Sequence, residues 1–533
     1  MDASQATTTE REERDLSHLP TPDANQEFEL KLLVPAEHFE QVREAPVIVR
    51  HRGGAGVVRR LEATYYDTAD RTLFLNGLSL RVRRDGRRYT QTLKRAPIHG
   101  QPFLRAEWES PVTALAPDLS LLPVGEIGAP LDTLDAGQLR AIFVTKVRRR
   151  LMRLDLPSAV VEAAFDDGVI EADKRSERLA EVELELKAGD ASALPDLALE
   201  LLEIAPLRIS TLSKSDRGYS LAFDTATKAT KAQPAGIAAG NTVDDVIASL
   251  LGACQHHLLA NQPVAERGGD PEGVHQMRVA LRRLRTACAL LGREIGSPAL
   301  MGFAAEAKWL AQLLGGAREW DVLVTDTLRQ PLQAIGPGVD FDSLRAAAEP
   351  HRLAAYEVLR TTLADARYNR FNLSLRRYIE CRGWRNEMAS GSLAVLVDPA
   401  RAMADRLLAR LHRQALKRGA RFRRMPPEAR HRLRITLKKL RYAVEFFRGL
   451  YGDGKTKPFV ASLAELQDAL GHANDAAMTQ PLLAVLAADS VKPSLHCAIG
   501  AVVGWQARDG AEVDKTLRKH WSHLKALPVF WSE

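Results

Sequence analysis

Glu27-Phe28-Glu29-Leu30-Lys31 alternates charged and apolar side chains. Built as a strand, it sends Glu27, Glu29 and Lys31 to one face and Phe28 and Leu30 to the other, because successive side chains leave a strand on opposite sides. One such strand could be the wet face of a half-buried sheet. The pattern recurs, however. Arg81 and Arg83 share a face in the run 80–84, and Thr90, Thr92 and Lys94 in the run 89–94. Arg105, Glu107 and Glu109 share one in the run 104–109, and Glu181, Glu183, Glu185 and Lys187 in the run 181–187. Turn residues such as Arg84-Asp85-Gly86-Arg87 and Asp166-Asp167-Gly168 separate the runs.

Like charges on neighbouring strands repel. Here some strands concentrate carboxylates and others concentrate cations. A closed antiparallel β-barrel with a charged lumen satisfies that pattern, its apolar side chains facing outward onto flanking helices. The first half is therefore expected to be an α+β domain. Clustered carboxylates without a cation would cost several kcal/mol or shift their pKa values, so the lumen calls for a charged guest. Paired Glu side chains offer the hard oxygen ligands that Mg²⁺ prefers. Lys and Arg on the other walls can hold phosphate oxygens, Arg bidentately.

The chain has 533 residues, 45% hydrophobic and 26% charged, the balance of a globular protein with a sizeable core. Apolar runs are short and broken by charge, so none reads as membrane-spanning. Residues 1–24 are polar and read as a disordered leader. Cys254, Cys288, Cys381 and Cys497 lie far apart without metal spacing, which suits a cytoplasmic chain with reduced thiols. The net charge of +7 divides unevenly. From residue 241 onward there are 42 Lys+Arg against 30 Asp+Glu, a net of +12; the totals of 74 and 67 leave −5 for residues 1–240. An acidic half joined to a basic half suggests two jobs.

Residues 228–241 read as a linker. Beyond it, over 242–533, spacing is helical and strand signals nearly vanish. This half contains a repeat, about 242–390 and 396–533. His275-Gln-Met-Arg278-Val-Ala-Leu-Arg282-Arg283-Leu-Arg285 recurs as His431-Arg-Leu-Arg434-Ile-Thr-Leu-Lys438-Lys439-Leu-Arg441, an offset of 431 − 275 = 156. The same offset carries Leu313–Glu319 onto Ala469–Asp475. A duplicated helical unit is implied, an all-α domain of two bundles. On a helix, His275, Arg278, Arg282 and Arg285 form one stripe, and His431, Arg434, Lys438 and Arg441 form its copy. Residues 401–448 hold 16 Lys+Arg and only 3 Asp+Glu, too few acids to neutralise these helices from within. The stripes therefore call for an anion.

The first half resembles the CYTH family, the triphosphate tunnel metalloenzymes. The resemblance is carried by Glu-x-Glu-x-Lys at 27–31, then in order Tyr65-Tyr66-Asp67-Thr68, Gly77-Leu78-Ser79-Leu80-Arg81-Val82-Arg83, Thr92-Leu93-Lys94, Glu181-Val182-Glu183-Leu184-Glu185-Leu186 and Ser213-Lys214-Ser215-Asp216-Arg217-Gly218-Tyr219. It covers about 25–227. It implies Glu27, Glu29, Asp166, Glu183 and Glu185 as metal ligands, with Mg²⁺ as cofactor and Mn²⁺ as substitute. It implies Lys31, Arg81, Arg83, Lys94, Arg149 and Lys214 as the cations that hold a triphosphate. Arg149 has neighbours Arg148 and Arg150 as competitors, and Asp166 has Asp167. Glu107 is expected to orient lumen cations. The implied chemistry is metal-dependent attack of water on a terminal phosphoryl group. No Ser or Cys nucleophile with a partner base is evident, which favours direct hydrolysis over a covalent intermediate.

The second half resembles the CHAD domain, on the two His-x-x-Arg-x-x-x-(Arg/Lys)-(Arg/Lys)-Leu-Arg helices, Tyr442, Glu445 and Leu466-Gln467-Asp468-Ala469-Leu470-Gly471. It implies a basic groove for inorganic polyphosphate, lined by the two stripes and associated with polyphosphate granules. His275 and His431 would add hydrogen bonds and, in mild acid, charge. Nucleic acid is a poorer fit, because the motifs carry few aromatics for base stacking. The joint expectation is an inorganic triphosphatase acting on tripolyphosphate with a polyphosphate-binding module. An organic triphosphate hydrolase or cyclase, and a non-catalytic polyphosphate adaptor, are the alternatives.

Overall fold

The structure is a computed structural model describing residues 25–96, 103–225 and 227–532. The leader expected over 1–24 lies outside the described residues. The alternating runs are strands of one barrel: β1 (Gln26–Leu33), β2 (Val57–Asp67), β3 (Leu78–Asp85), β4 (Arg88–Arg95), β5 (Leu104–Val112), β6 (Arg140–Asp155), β7 (Ala159–Ala172) and β8 (Arg175–Gly189). Their order is β5-β4-β3-β2-β6-β7-β8-β1, and β5 pairs with β1 to close the ring. The closed antiparallel barrel read from charge alternation is thus present.

Both faces of the wall are buried, by different means. Leu30, Leu32, Val182 and Leu184 point outward and are at most 2% exposed. The flanking helix Ala193–Leu202 buries Leu194, Leu197, Ala198 and Leu201. Each buried aliphatic side chain of Val or Leu size contributes roughly 1.5–3 kcal/mol. The inward face is charged and is held by ion pairs.

Of the two expected turns, one is a turn and one is not. Residues 85–88 do form the β3–β4 hairpin turn, with Gly86 at φ 62°. Asp166-Asp167-Gly168 instead lies inside β7. Its glycine answers to a close approach between strands, since a Cβ at Gly168 would sit 2.2 Å from the Lys146 carbonyl oxygen.

The chain divides into two compact units. One holds the barrel through residue 95 and over 104–169 and 178–205; the other includes 170–177 and everything from 206 onward. Between Val243 and Ala526 every element is helical. The helices of the duplication start in register. Val243 and Ala400 open one pair, Pro271 and Pro427 the motif helices, and Pro298 and Asp453 the next, at offsets of 157, 156 and 155. Proline at the first helical position costs nothing there, because its missing N–H would have no partner in the helix. The motif helices bury Met277, Leu281 and Leu284 in one copy and Leu433, Leu437 and Leu440 in the other, all at 0% exposure. The copies also meet reciprocally: Val243 N–H donates to the Asp398 carbonyl at 3.0 Å, and Ala400 N–H donates to the Asn241 carbonyl at 3.1 Å. Each partner is displaced by 157 from its counterpart, as a pseudo-two-fold axis through this point requires.

The helical unit also carries a buried neutral histidine. His257 Nε2 lies 3.1 Å from both the Thr230 carbonyl and Gln276 Oε1, so Nε2 holds the proton. Burial, reinforced by Arg283, pushes its pKa down to about 4. The unfolded chain then binds this proton more readily than the folded one, so the contribution to stability is complete above about pH 6.5 and is lost as pH falls toward 4. We expect unfolding of the helical unit, followed against pH by far-ultraviolet circular dichroism, to lose roughly 3 kcal/mol across this window through His257. His257→Gln should flatten the slope by about that much.

Candidate functional site

Strand register builds the lumen. Glu29 is opposite Glu185 and Lys31 is opposite Glu183 on β1–β8. Lys94 is opposite Glu107 and Thr92 is opposite Glu109 on β4–β5. Directly opposite residues share a face, so these side chains meet inside.

Lys31 is the centre of the acidic wall. It is 5% exposed and its Nζ contacts Glu29 and Glu181, each at 3.3 Å, and Glu183. Burial works against its charge, but Glu181, Glu183 and Glu29 outweigh it and hold the ammonium well above its usual range. Arg149 Nε and Nη2 donate to the two oxygens of Asp166 at 2.7 and 2.6 Å, and Nη2 also reaches Glu183 at 2.5 Å. Asp166 and Glu183 outweigh burial there as well. Its neighbours on β6 lie elsewhere: Arg148 is exposed and Arg150 donates to the Ala55 carbonyl. On β7, Asp166 is fully buried whereas Asp167 lies 3.7 Å from Arg178.

Across the lumen, Lys94 contacts Glu27 at 2.7 Å and Glu107 at 2.9 Å. Glu107 also lies 3.8 Å from Arg81, so it does bridge lumen cations. Arg83 reaches Glu109 at 3.3 Å. The neighbouring Arg81 charge, then burial, lowers the Arg83 pKa. Glu185 pairs with Lys187, yet burial and the nearby Glu27 push it up to about 7. Lys214 is buried in the first turn of its own helix, Lys214–Phe223, in the second unit.

Of the five expected metal ligands, Asp166 and Glu183 come together, and Glu181 joins them. One oxygen of each of these three lies within 4.8 Å of the others. Glu27 contacts Lys94, Glu29 contacts Lys31 and Glu185 pairs with Lys187, just as Asp166 and Glu183 share Arg149, so all five carboxylates lie among lumen cations. Three hard carboxylate oxygens converging in a buried wall fit a divalent cation of the Mg²⁺ class. Glu181 was readable as a lumen residue from its parity with Glu183, but its approach to Asp166 depends on a strand pairing that sequence does not give. Tyr65, quoted above only as part of the Tyr65-Tyr66-Asp67-Thr68 run, has a lumen-side position of its own. It stands opposite Arg81 and stacks on Phe143 with centroids 4.3 Å apart.

In the helical unit, the two stripes are half-buried rather than free, save the exposed His431. Arg278 donates to the Ala311 carbonyl, and burial with Arg282 lowers its pKa to about 10. His275 is pushed down by burial and by Arg318, so its charging needs more acid than the sequence suggested. Arg282 Nε is buried without a hydrogen-bond partner. Arg441 is paired with Glu445 at 3.5 Å. Arg434 and Lys438 are half-buried on the second stripe.

Comparison with known proteins agrees with this division. Residues 25–219 match the CYTH domain and residues 249–484 match the CHAD domain. The chain is 29% identical over 207 residues to an inorganic triphosphatase of Haemophilus influenzae, covering 37% of this chain and 55% of that one. It thus spans about half the length of that curated relative. Among solved structures, the CHAD domain of the plant Ricinus communis is 30% identical, covering 57% of this chain and 98% of its own, with a TM-score of 0.48. PptA from Streptomyces chartreusis is 16% identical over 53% of this chain and 100% of its own, with a TM-score of 0.41. A Hippeastrum protein assigned as an adenylyl cyclase, with a dominant triphosphatase activity, is 19% identical over 36% of this chain and 95% of its own, with a TM-score of 0.28. No helix among the described residues is long and apolar enough to cross a membrane. With its charged barrel matching one family and its duplicated basic helices the other, the chain belongs to the proteins that join a CYTH domain to a CHAD domain.

Proposed function

We propose that the barrel hydrolyses inorganic tripolyphosphate with the help of Mg²⁺ or Mn²⁺, and that the helical unit binds inorganic polyphosphate. The CYTH match and the triphosphatase relative support triphosphate hydrolysis as the class of reaction. One observation carries the finer reading: the lumen holds cations and carboxylates in nearly matched, mutually paired sets. Lys31, Lys94 and Arg149 each contact carboxylates from at least two strands. With a divalent cation and a phosphate chain bound, Asp166, Glu181 and Glu183 would face the metal and Lys31, Lys94 and Arg149 the phosphate oxygens, so both sets would keep an opposite charge beside them.

Asp166, Glu181 and Glu183 are the residues to hold the metal, which when bound supplies charge neutralisation and acidifies a coordinated water. The chain's own residues do the rest. Arg149 offers two parallel N–H groups to one phosphoryl group, as it now does to Asp166. Lys31, Lys94, Arg81 and Arg83 line the path and stabilise charge spreading onto the equatorial oxygens. Glu107 and Glu109 keep those cations on the lumen wall. The aromatic pair Tyr65–Phe143 is 3% and 2% exposed and its rings stack on each other. They are closed to an organic group, which favours a bare phosphate chain over a nucleotide or thiamine ester.

Phosphate release from the purified protein should be fastest with tripolyphosphate and Mg²⁺ or Mn²⁺, ahead of ATP and thiamine triphosphate. Faster turnover of either ester would transfer the reading to organic triphosphates, and silence on all three would leave a binding protein. Arg149→Lys keeps the charge but loses the fork; we expect kcat to fall about 100-fold, in the range of losing one oriented donor, and the melting temperature to drop with the lost bond to buried Asp166 while the barrel stays folded. Reversing Arg278, Arg282, Arg434 and Lys438 to Glu should abolish polyphosphate binding while tripolyphosphate turnover persists. In the parent, binding should weaken steeply with salt. A quadruple variant that binds like the parent would remove the stripes from the site.

A further inference from the structure

The duplication is not carried through at the seam between the motif helices. Each basic stripe continues past its motif. On Pro271–Ile295 it runs through Ala289 to Arg293; on Pro427–Phe447 it runs through Glu445. The offset of 156 makes Ala289 the counterpart of Glu445, Arg285 of Arg441, and Arg283 of Lys439.

One seam is neutralised internally. Arg283 crosses from the first motif helix and donates to Glu445 at 2.5 Å, and Arg441 lies 3.5 Å from the same carboxylate. The Arg283 guanidinium also rests 4.9 Å from the Phe446 ring centroid. Arg283 is 8% exposed.

The other seam has the cations without the acid. Lys439 stands where Arg283 stands in the copy, and Ala289 stands where Glu445 does. Arg418, from the end of the helix Ala400–Arg418, is fixed to the Thr436 hydroxyl and lies 3.3 Å from the Arg432 carbonyl, one turn from Lys439. Burial, then the charges of Arg293, Arg418 and Arg285, lowers the Lys439 pKa, so Lys439 sits within reach of the other three cations. Among the described residues, none of Arg285, Arg293, Arg418 and Lys439 has a carboxylate within ion-pair distance. Glu294, the adjacent acid, is engaged by Arg406 at 3.0 Å and Arg410 at 3.7 Å. Gathering four cations without an anion is unfavourable by itself.

We propose that this open seam seats phosphate groups of an inorganic polyphosphate chain, which take the place that Glu445 occupies in the closed seam. The seat rests on the polyphosphate reading of the helical unit and specifies where the chain is gripped. From His275 to Arg293 the stripe spans 18 residues, about 27 Å at helical rise, a length suited to a row of phosphates rather than to one. The grip is accordingly asymmetric: one seam is closed by the protein's own carboxylate, and one is open to the ligand's.

The test makes the open seam copy the closed one. In the full-length protein, Ala289→Glu should weaken binding of long-chain inorganic polyphosphate about tenfold or more, measured calorimetrically at low salt. It should also raise the melting temperature without ligand. Ala289→Gln, of the same size without the charge, should stay within about threefold of the parent. Glu445→Gln, which opens the second seam, should tighten binding. Parent-like affinity in Ala289→Glu, or an equal loss in Ala289→Gln, overturns the seat. Should Ala289→Glu not fold, the exposed pair Arg293→Ser and Lys439→Ser carries the same expectation, and unchanged binding overturns it. A parent that does not bind polyphosphate overturns the reading of the whole helical unit, and the seat with it. A parent that binds, beside an Ala289→Glu variant that binds equally, overturns the seat alone.

Discussion

Lys31 among Glu29, Glu181 and Glu183 is the contact on which the barrel depends. Three carboxylates and one ammonium, nearly all out of solvent, could not be assembled from separate surface pairs. Removing the ammonium would leave a buried cluster of like charge, a loss on the order of 3–5 kcal/mol. The same cluster explains the rest of the lumen. Glu183 is shared with Arg149, which fixes Asp166, so one carboxylate couples β1, β6, β7 and β8. Burying these strands outward on Leu30, Leu32, Val182 and Leu184 then locks register, because a one-residue slip would exchange the two faces.

The helical unit obeys the opposite constraint. Its core is apolar and duplicated, with the buried leucines of the two motif helices in matching positions. Its charges are in excess rather than in balance. Carboxylates nevertheless tie the two copies together, Glu445 to Arg283 and Glu294 to Arg406 and Arg410. The barrel therefore stores paired charge that a metal and a phosphate chain can exchange into, while the helices present charge that wants a partner.

Much of this was legible in the sequence because it depends on parity and period. Alternation placed Glu27, Glu29 and Lys31 on one face, and a fixed offset exposed the duplication. Three things were not legible. Asp166-Asp167-Gly168 looked like a turn, because close approach of β6 asks for the same glycine that a turn does. The position of Tyr65 opposite Arg81 needed the β2–β3 register. The different fates of Arg283 and Lys439, equivalent in the repeat, turned on Glu445 and Ala289 on the opposing helix, a contact that local sequence does not encode.

On this reading, buried lumen carboxylates and cations exchange their mutual pairs for a metal and a phosphate chain. Mn²⁺ binding to the full-length protein, followed by electron paramagnetic resonance with and without tripolyphosphate, tests it most directly. Mn²⁺ should bind more tightly when tripolyphosphate is present, and Glu181→Gln and Glu183→Gln should each lose this binding while remaining folded. Parent-like Mn²⁺ binding in both folded variants would contradict it.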